Sequence, residues 1–253
     1  MNILKDHTVI FEDLGIIDYK SAWDYQEKLL AENVGIKAML RSRESGVGSR
    51  ESEETVVLES QLQTKNYFLL CEHPPVYTLG KSGSKNNVLM SDDELVKNNI
   101  EFFNTNRGGD ITFHGLQQIV GYPILDLENY YTDIGKYLRN LEEVIIRTIG
   151  EYGIQGDRSK GETGVWVDPD IKGKERKICA IGVRCSRWIT MHGFALNVNT
   201  DLSYFNNIIP CGIQNKQVTS IEKELGRKVD YEEVKQKIKK NFEIVFESTL
   251  VNE

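Results

Sequence analysis

Two hydrophobic periods alternate along this chain, and neither takes over. Residues 132–154, TDIGKYLRNLEEVIIRTIGEYGI, set Ile134, Leu138, Leu141, Ile145, Ile149 and Tyr152 at helical spacing, with Thr132 placed to cap. A shorter helix is predicted over 19–31, where Ala22, Trp23, Gln26, Leu29 and Leu30 share a face. A C-terminal helix follows the capping pair Asp230 and Glu233, with Val234, Ile238, Phe242 and Val245 as its apolar stripe. Between these helices lie short runs that read as strands: 66–72, 100–106, 121–127, 163–168, 176–184 and 188–199. Two prolines, Pro74 and Pro75, break the first run and lead into a glycine-serine loop. No internal repeat and no glycine-rich linker separates two cores. The pattern predicts an α/β or α+β fold with one main domain over residues 1–253. The stretch 42–60 has no aromatic residue and much Ser, Glu and Gly, and reads as a polar insertion.

The chain has 253 residues, 40% hydrophobic and 27% charged, which is enough apolar material for a sizeable core. No apolar run approaches the ~18 residues of a membrane helix, so no membrane association is expected. The first fifteen residues carry Asp6, Glu12 and Asp13, unlike a secretory or transit peptide, and a cytoplasmic location is expected. Net charge is −7, which argues against bulk binding to nucleic acid. Locally the balance reverses: residues 158–187 hold eight basic side chains against four acidic ones, a patch suited to an acidic partner. The four cysteines, Cys71, Cys179, Cys185 and Cys211, show no metal-ligand spacing, and a large cytosolic chain keeps them reduced.

Three stretches are richer in chemistry than packing requires. The first, RGGDITFHGLQQIVGYPI (107–124), joins Arg107, Gly108, Gly109, Asp110, Thr112, His114 and Gly115. It is too polar for a core strand and too glycine-rich for a helix, and adjacent glycines let a backbone approach a ligand closely. No Gly-Lys-Ser/Thr follows, so it is not a Walker loop. A plain β-turn is the simpler reading. The second stretch, RKICAIGVRCSRWITMHGFALNVN (176–199), puts Lys177, Cys179 and Ile181 on one face if it alternates as a strand. A lysine so placed is partly desolvated and suited to proton transfer, unless it snorkels to water. His192-Gly193 repeats the pair His114-Gly115, and each histidine is either a hydrogen-bonded wall residue or a proton carrier. The third, IIPCGIQNKQVTS (208–220), presents Cys211 between Pro210 and Gly212 on a stiff turn. A thiol there packs, or it acts as a nucleophile if a cation or base stands nearby.

Taken together, EHPPVYTLGKSG (72–83), RGGDITFHG (107–115), KICAIGVR (177–184), HGFALNVNTDL (192–202) and IIPCGI (208–213) resemble the ordered motifs of lipoyl(octanoyl) transferases. The resemblance runs from about Leu14 to the C-terminal helix. It implies one α/β domain with a larger and a smaller mixed sheet, the fold of biotin and lipoate protein ligases. It implies transfer of an octanoyl group from octanoyl-acyl carrier protein to a lysine of lipoyl domains, those of 2-oxoacid dehydrogenases or the glycine cleavage H protein. Cys211 matches the acyl-carrying cysteine and Lys177 the acid/base. The arginine-glycine loop, Ala180-Ile181-Gly182, and His192, Gly193 and Ala195 match the substrate pocket. Such enzymes use no metal and no ATP cofactor.

Two departures stand out. Where the family reads His-Gly-Pro-Gly-Gln, this chain has His114-Gly115-Leu116-Gln117-Gln118, and where it often has Gln this chain has Asp110. Two rivals remain at this level. An ATP-dependent lipoate or biotin ligase of the same fold needs no nucleophilic cysteine, and a non-catalytic binding module tolerates loss of Cys211.

Overall fold

Runs without a polar face, such as Asn66–Glu72 and Gln118–Ile124, fit only where apolar layers cover both sides of a sheet. The computed structural model, which describes residues 7–44, 63–209 and 217–252, has that arrangement. Its strands are β1 (Thr8–Ile16), β2 (Asn66–Glu72), β3 (Val76–Leu79), β4 (Glu101–Asn104), β5 (Ile111–His114), β6 (Gln118–Ile124), β7 (Gly156–Arg158), β8 (Val165–Val167), β9 (Arg176–Ser186), β10 (Ile189–Asn197), β11 (Gln217–Val218) and β12 (Thr249–Asn252). Its helices are α1 (Tyr19–Glu44), α2 (Asp92–Lys97), α3 (Ile134–Gly150), α4 (Ile221–Leu225) and α5 (Tyr231–Phe246). A 3-10 turn, Leu202–Asn207, follows β10.

Among the described residues, nine strands form one mixed sheet in the order β12-β1-β2-β6-β10-β9-β8-β7, with β11 added beside β9. A smaller mixed sheet has the order β4-β3-β5. This is the α/β architecture of a larger and a smaller sheet that the resemblance implies. Helices α3 and α5 cover one face of the large sheet, where Leu141, Ile145, Ile238 and Phe242 join Phe68, Ile119 and Phe194 in one buried cluster. Phe242 stacks on Phe68 at 4.2 Å, worth about 0.5–1.5 kcal/mol beyond the area buried. Helix α1 covers the other face, where Ala22, Leu29 and Leu30 meet Leu69, Val120 and Ala195. The small sheet builds its own cluster around Tyr77, Ile111, Phe113 and Phe205.

Several local expectations change. The arginine-glycine stretch is not simply a turn: Ile111–His114 is a strand of the small sheet, and the large-sheet strand after it begins at Gln118, not Gly121. Arg107, His114 and Gln118 are buried in it with hydrogen-bond partners, a feature that hydrophobic alternation does not report. Helix α1 runs well past Ala31, because its continuing buried face is made by Asn33 and Lys37. Lys37 Nζ bonds Asp126 Oδ1 at 2.7 Å and Glu128 Oε2 at 2.8 Å, replacing an apolar stripe with a buried ion cluster. Asp133, not Thr132, caps α3 by accepting from Lys136 N at 2.9 Å. Of the polar insertion, residues 42–44 end α1 and the remainder lies outside the described residues.

The loop between β4 and β5 crosses from the small sheet to the large one, where Gly108 N donates to Val183 O at 2.9 Å. That crossing encloses the cavity described next.

Candidate active site

The floor of the cavity is the β9–β10 ladder. Ala180 pairs with Ala195, and Gly182 with Gly193, so four small residues leave open space above two adjacent strands. The roof is the arginine-glycine loop. A Cβ on Gly182 would stand 2.8 Å from Gly108 O, so only glycine lets the loop settle on the ladder. Gly80 does the same from the small sheet, where a Cβ would meet Gly109 O. The enclosed space is about 570 Å³, and Ile134, Leu138, Val120 and Phe205 add apolar wall. Arg107, Gly108, Gly109, Asp110, Thr112, His114, Lys177, Ala180, Ile181, Gly182, His192, Gly193 and Ala195 all line this one cavity. Gly115 does not; a Cβ there would run into the Phe113 ring. Cys211 and Gly212 lie outside the described residues.

Arg107 organises the loop. It is 8% exposed and donates from Nη2 to Thr78 O (2.6 Å) and Thr78 Oγ1 (3.0 Å), and from Nη1 to Gly108 O (3.0 Å). Asp110 is held too: Oδ1 accepts from Ile111 N at 2.7 Å and Oδ2 from Asn87 Nδ2 at 2.8 Å. The carboxylate in place of the family's amide thus tethers the loop to Asn87. Gly108 N is committed to Val183 O.

The two histidines stand buried in the cavity wall. Burial drives the His114 imidazole well below its ordinary range, and the neighbouring His73 and Arg107 add to the effect. Burial likewise lowers His192 to about 3, helped by Arg107 and Arg184. His192 Nε2 donates to Asn106 Oδ1 (2.7 Å), Asn106 Nδ2 donates to Glu27 Oε1 (2.8 Å), and Arg184 Nη1 reaches the same oxygen at 2.7 Å. That chain leaves the His192 Nδ1 lone pair buried without a partner.

Lys177 enters the site differently from the strand alternation predicted. The β8–β9 register shifts between Val165↔Cys179 and Trp166↔Lys177, so Ile178 is an extra residue. Ile178 and Cys179 are both fully buried in the core, whereas Lys177 lines the cavity with its side chain 14% exposed. Its Nζ lies 4.6 Å from the Trp166 ring centre and 4.0 Å from Glu162 Oε2. Ile209 N donates to Asn87 O at 2.8 Å, and Val218 pairs with Lys177 in the β9–β11 ladder and lines the cavity.

Sequence reasoning missed Tyr19, Glu162, Asn197 and Phe205 as lining residues. Tyr19 and Phe205 look like ordinary core aromatics, and Glu162 sits in a polar turn like many others. Among the described residues, no cluster of His, Cys, Asp or Glu could hold a metal ion, and no helix is long and apolar enough to cross a membrane.

Solved structures share this fold at low sequence identity. A putative lipoate protein ligase from T. acidophilum superposes with a TM-score of 0.65 at 13% identity, covering 97% of this chain and 88% of that one. A lipoate-protein ligase A bound with ATP superposes at 0.63, also at 13% identity, covering 98% and 88%. The biotin protein ligase from Aquifex aeolicus in complex with biotin and ATP gives 0.50 at 12% identity, covering 94% and 70%. The fold is thus that of the lipoate and biotin protein ligases.

The family model for the lipoyl protein ligase A/B catalytic domain matches residues 50–243. Octanoyltransferases from Flavobacterium psychrophilum and Christiangramia forsetii are 56% and 55% identical over 96% and 94% of this chain and 99% and 95% of theirs. The chain belongs to this lipoyl ligase and transferase family, with octanoyltransferases as its relatives, and it is an acyltransferase.

Proposed function

We propose that the chain, as one catalytic domain in the cytoplasm, moves an octanoyl group from octanoyl-acyl carrier protein to a specific lysine of lipoyl domains, through a thioester on Cys211. The observation that carries this reading is the place of Lys177. It lines a cavity floored by Ala180, Gly182, Gly193 and Ala195, and its ladder partner Val218 is seven residues past Cys211. The names of the close relatives support the octanoyl group.

Lys177, neutral, takes the Cys211 thiol proton, and the thiolate attacks the carrier thioester. The carrier thiolate leaves and recovers the proton from Lys177. One thioester replaces another, so this step is close to thermoneutral. The acceptor lysine then gives its ammonium proton to Lys177 and attacks the enzyme thioester as an amine. The amide forms, Cys211 leaves, and one net proton passes to solvent. An amide is more stable than a thioester, so no nucleotide is needed. The small-residue floor suits an unbranched chain, and the wall of Val120, Ile134, Leu138 and Phe205 supplies its apolar surroundings.

The test is intact mass after mixing with octanoyl-acyl carrier protein without ATP. A hydroxylamine-sensitive octanoyl adduct on Cys211, passed on to a lipoyl domain, is expected. Acceptor modification that requires octanoate and ATP instead would assign the chain to the ligases. Lys177→Ala should slow acceptor acylation by at least ~10²-fold, the usual size of a general acid–base contribution.

A further inference from the structure

Lys177 does not meet the cavity mouth alone. Glu162 Oε2 lies 4.0 Å from its Nζ, with the two side chains 18% and 14% exposed, and both residues line the cavity. The loop that carries Glu162 is pinned at both ends. Before it, Arg158 donates from Nε to Glu142 at 3.1 Å and from Nη2 to Glu143 at 2.9 Å. After it, Gly164 N donates at 3.0 Å to the same buried Glu142. Gly164 has φ +123°, and a Cβ there would stand 2.6 Å from Cys179 O, so the loop lies tight against β9. The other carboxylate among the described lining residues, Asp110, has both oxygens held by Ile111 N and Asn87.

Acyl transfer to an amine brings a second cation to this place. A free lysine is an ammonium at neutral pH, and it must come into contact with Lys177 to lose its proton. A partly buried carboxylate beside Lys177 attracts that ammonium and then balances the charge its proton carries to Lys177. Resting on the transfer reading above, we propose that Glu162 is a positioning residue that serves as the shared counter-charge for Lys177 and the acceptor lysine. The acceptor ammonium docks on Glu162 beside the neutral Lys177 amine and passes its proton across. One positive charge then remains beside one carboxylate throughout. Glu162 does not keep the proton, because a carboxylate is a far weaker base than an amine.

The role separates by the charge of the nucleophile. The acyl-enzyme, prepared with octanoyl-acyl carrier protein, is discharged in parallel by a lipoyl domain, whose lysine arrives charged, and by hydroxylamine, which is neutral. In Glu162→Gln the ratio of lipoyl-domain to hydroxylamine discharge should fall at least tenfold, and Glu162→Asp should recover part of it. A parallel loss with both nucleophiles would mean general damage and overturn the proposal, as would an unchanged ratio. The unsubstituted enzyme gives an independent reading. A lipoyl domain whose target lysine is replaced by arginine should inhibit it more strongly than one carrying methionine there, and equal inhibition counts against the proposal. If the unsubstituted enzyme forms no acyl adduct at all, the transfer reading fails first and takes this one with it.

Discussion

Nδ1 of His114 lies 2.9 Å from Oε1 of Gln118, and that contact fixes which nitrogen of the neutral imidazole carries its hydrogen. Gln118 donates its amide hydrogens to Phe113 O (3.1 Å) and Asn197 Oδ1 (2.8 Å), so its oxygen is left to accept from His114. His114 is therefore the Nδ1–H tautomer, and its bare Nε2 accepts from the Thr78 hydroxyl at 3.3 Å. Thr78 Oγ1 in turn accepts from Arg107. One line of hydrogen bonds thus joins the large sheet to the roof of the cavity through the neutral histidine.

Acid should break that line. Burial holds His73 at about 4 and His192 at about 3, and lowers His114 well below its ordinary value. In the unfolded chain all three titrate near 6.5. Below that pH the unfolded chain binds protons that the folded one refuses, so stability falls as pH drops from 6.5 towards the folded values. Each group contributes up to about 1.4 kcal/mol per pH unit in that window. Urea unfolding should show a clearly lower midpoint at pH 5 than at pH 7. His73→Gln should flatten that dependence, whereas equal midpoints in the unsubstituted protein would mean that the histidines protonate without unfolding.

The sequence marked the arginine-glycine, lysine and histidine stretches as candidates, because each carries polar or glycine residues that packing alone does not need, and the resemblance implied that they share one pocket. What brings them together was not legible. The loop reaches β9 through one backbone bond, Gly108 N to Val183 O, between residues 75 positions apart in a 253-residue chain. The bulge at Ile178 was hidden for a similar reason. An inserted residue changes which side chains face the cavity but leaves the apolar composition of ICAIGV unchanged. The long α3 and α5 helices were readable from their stripes. The second half of α1 was not, because Lys37 and Asn33 are buried through polar contacts.

Gly182→Ala tests the contact between floor and roof. The added Cβ would stand 2.8 Å from Gly108 O and 3.2 Å from Arg107 Cδ. Neither neighbour is free to move, since Gly108 is bonded to Val183 O and Arg107 to Thr78. Overpacking of this kind typically costs about 1–3 kcal/mol. A thermal melt should show a drop of several degrees, and transfer activity should fall more than tenfold as the roof lifts. A variant with unchanged melting and turnover would show that the loop does not rest on the ladder.

The start of α3 distinguishes two adjacent caps. Asp133 Oδ1 accepts from Lys136 N, and Thr132 is exposed. Asp133→Ala should lower stability by about 1 kcal/mol, the usual worth of an N-cap, and Thr132→Ala by much less. Denaturant midpoints of the two variants, compared side by side, decide it; the reverse order would return the cap to Thr132.

The basic stretch 158–187 divides into two halves with different tasks. Arg158 is paired with Glu142 and Glu143, Arg184 with Glu27, and Lys177 with Glu162. Arg176 holds both oxygens of Glu224 at 2.6 and 2.7 Å and Asp168 at 2.6 Å, which drives its guanidinium further towards the charged form. Of these, Arg158, Arg176 and Arg184 serve the fold, and Lys177 faces the cavity. Among the described residues Lys160, Lys172, Lys174 and Arg187 are exposed and have no ion-pair partner, and Lys172 and Lys174 share the loop between β8 and β9. Reversing them, Lys172→Glu with Lys174→Glu, should leave the melting temperature within a degree or two, since exposed charges contribute little to stability. The same change should slow transfer from an acidic carrier several-fold at low salt, a difference that closes at high salt as screening shortens the reach of the charges. Arg176→Glu should instead lower stability by about 2 kcal/mol or more, because it leaves Glu224 and Asp168 facing a third carboxylate. Steady-state kcat/KM for the carrier, measured across a salt series beside thermal melts, separates the two halves. A salt-independent rate in the double lysine variant, equal to that of the unsubstituted enzyme, would exclude this loop as a steering surface.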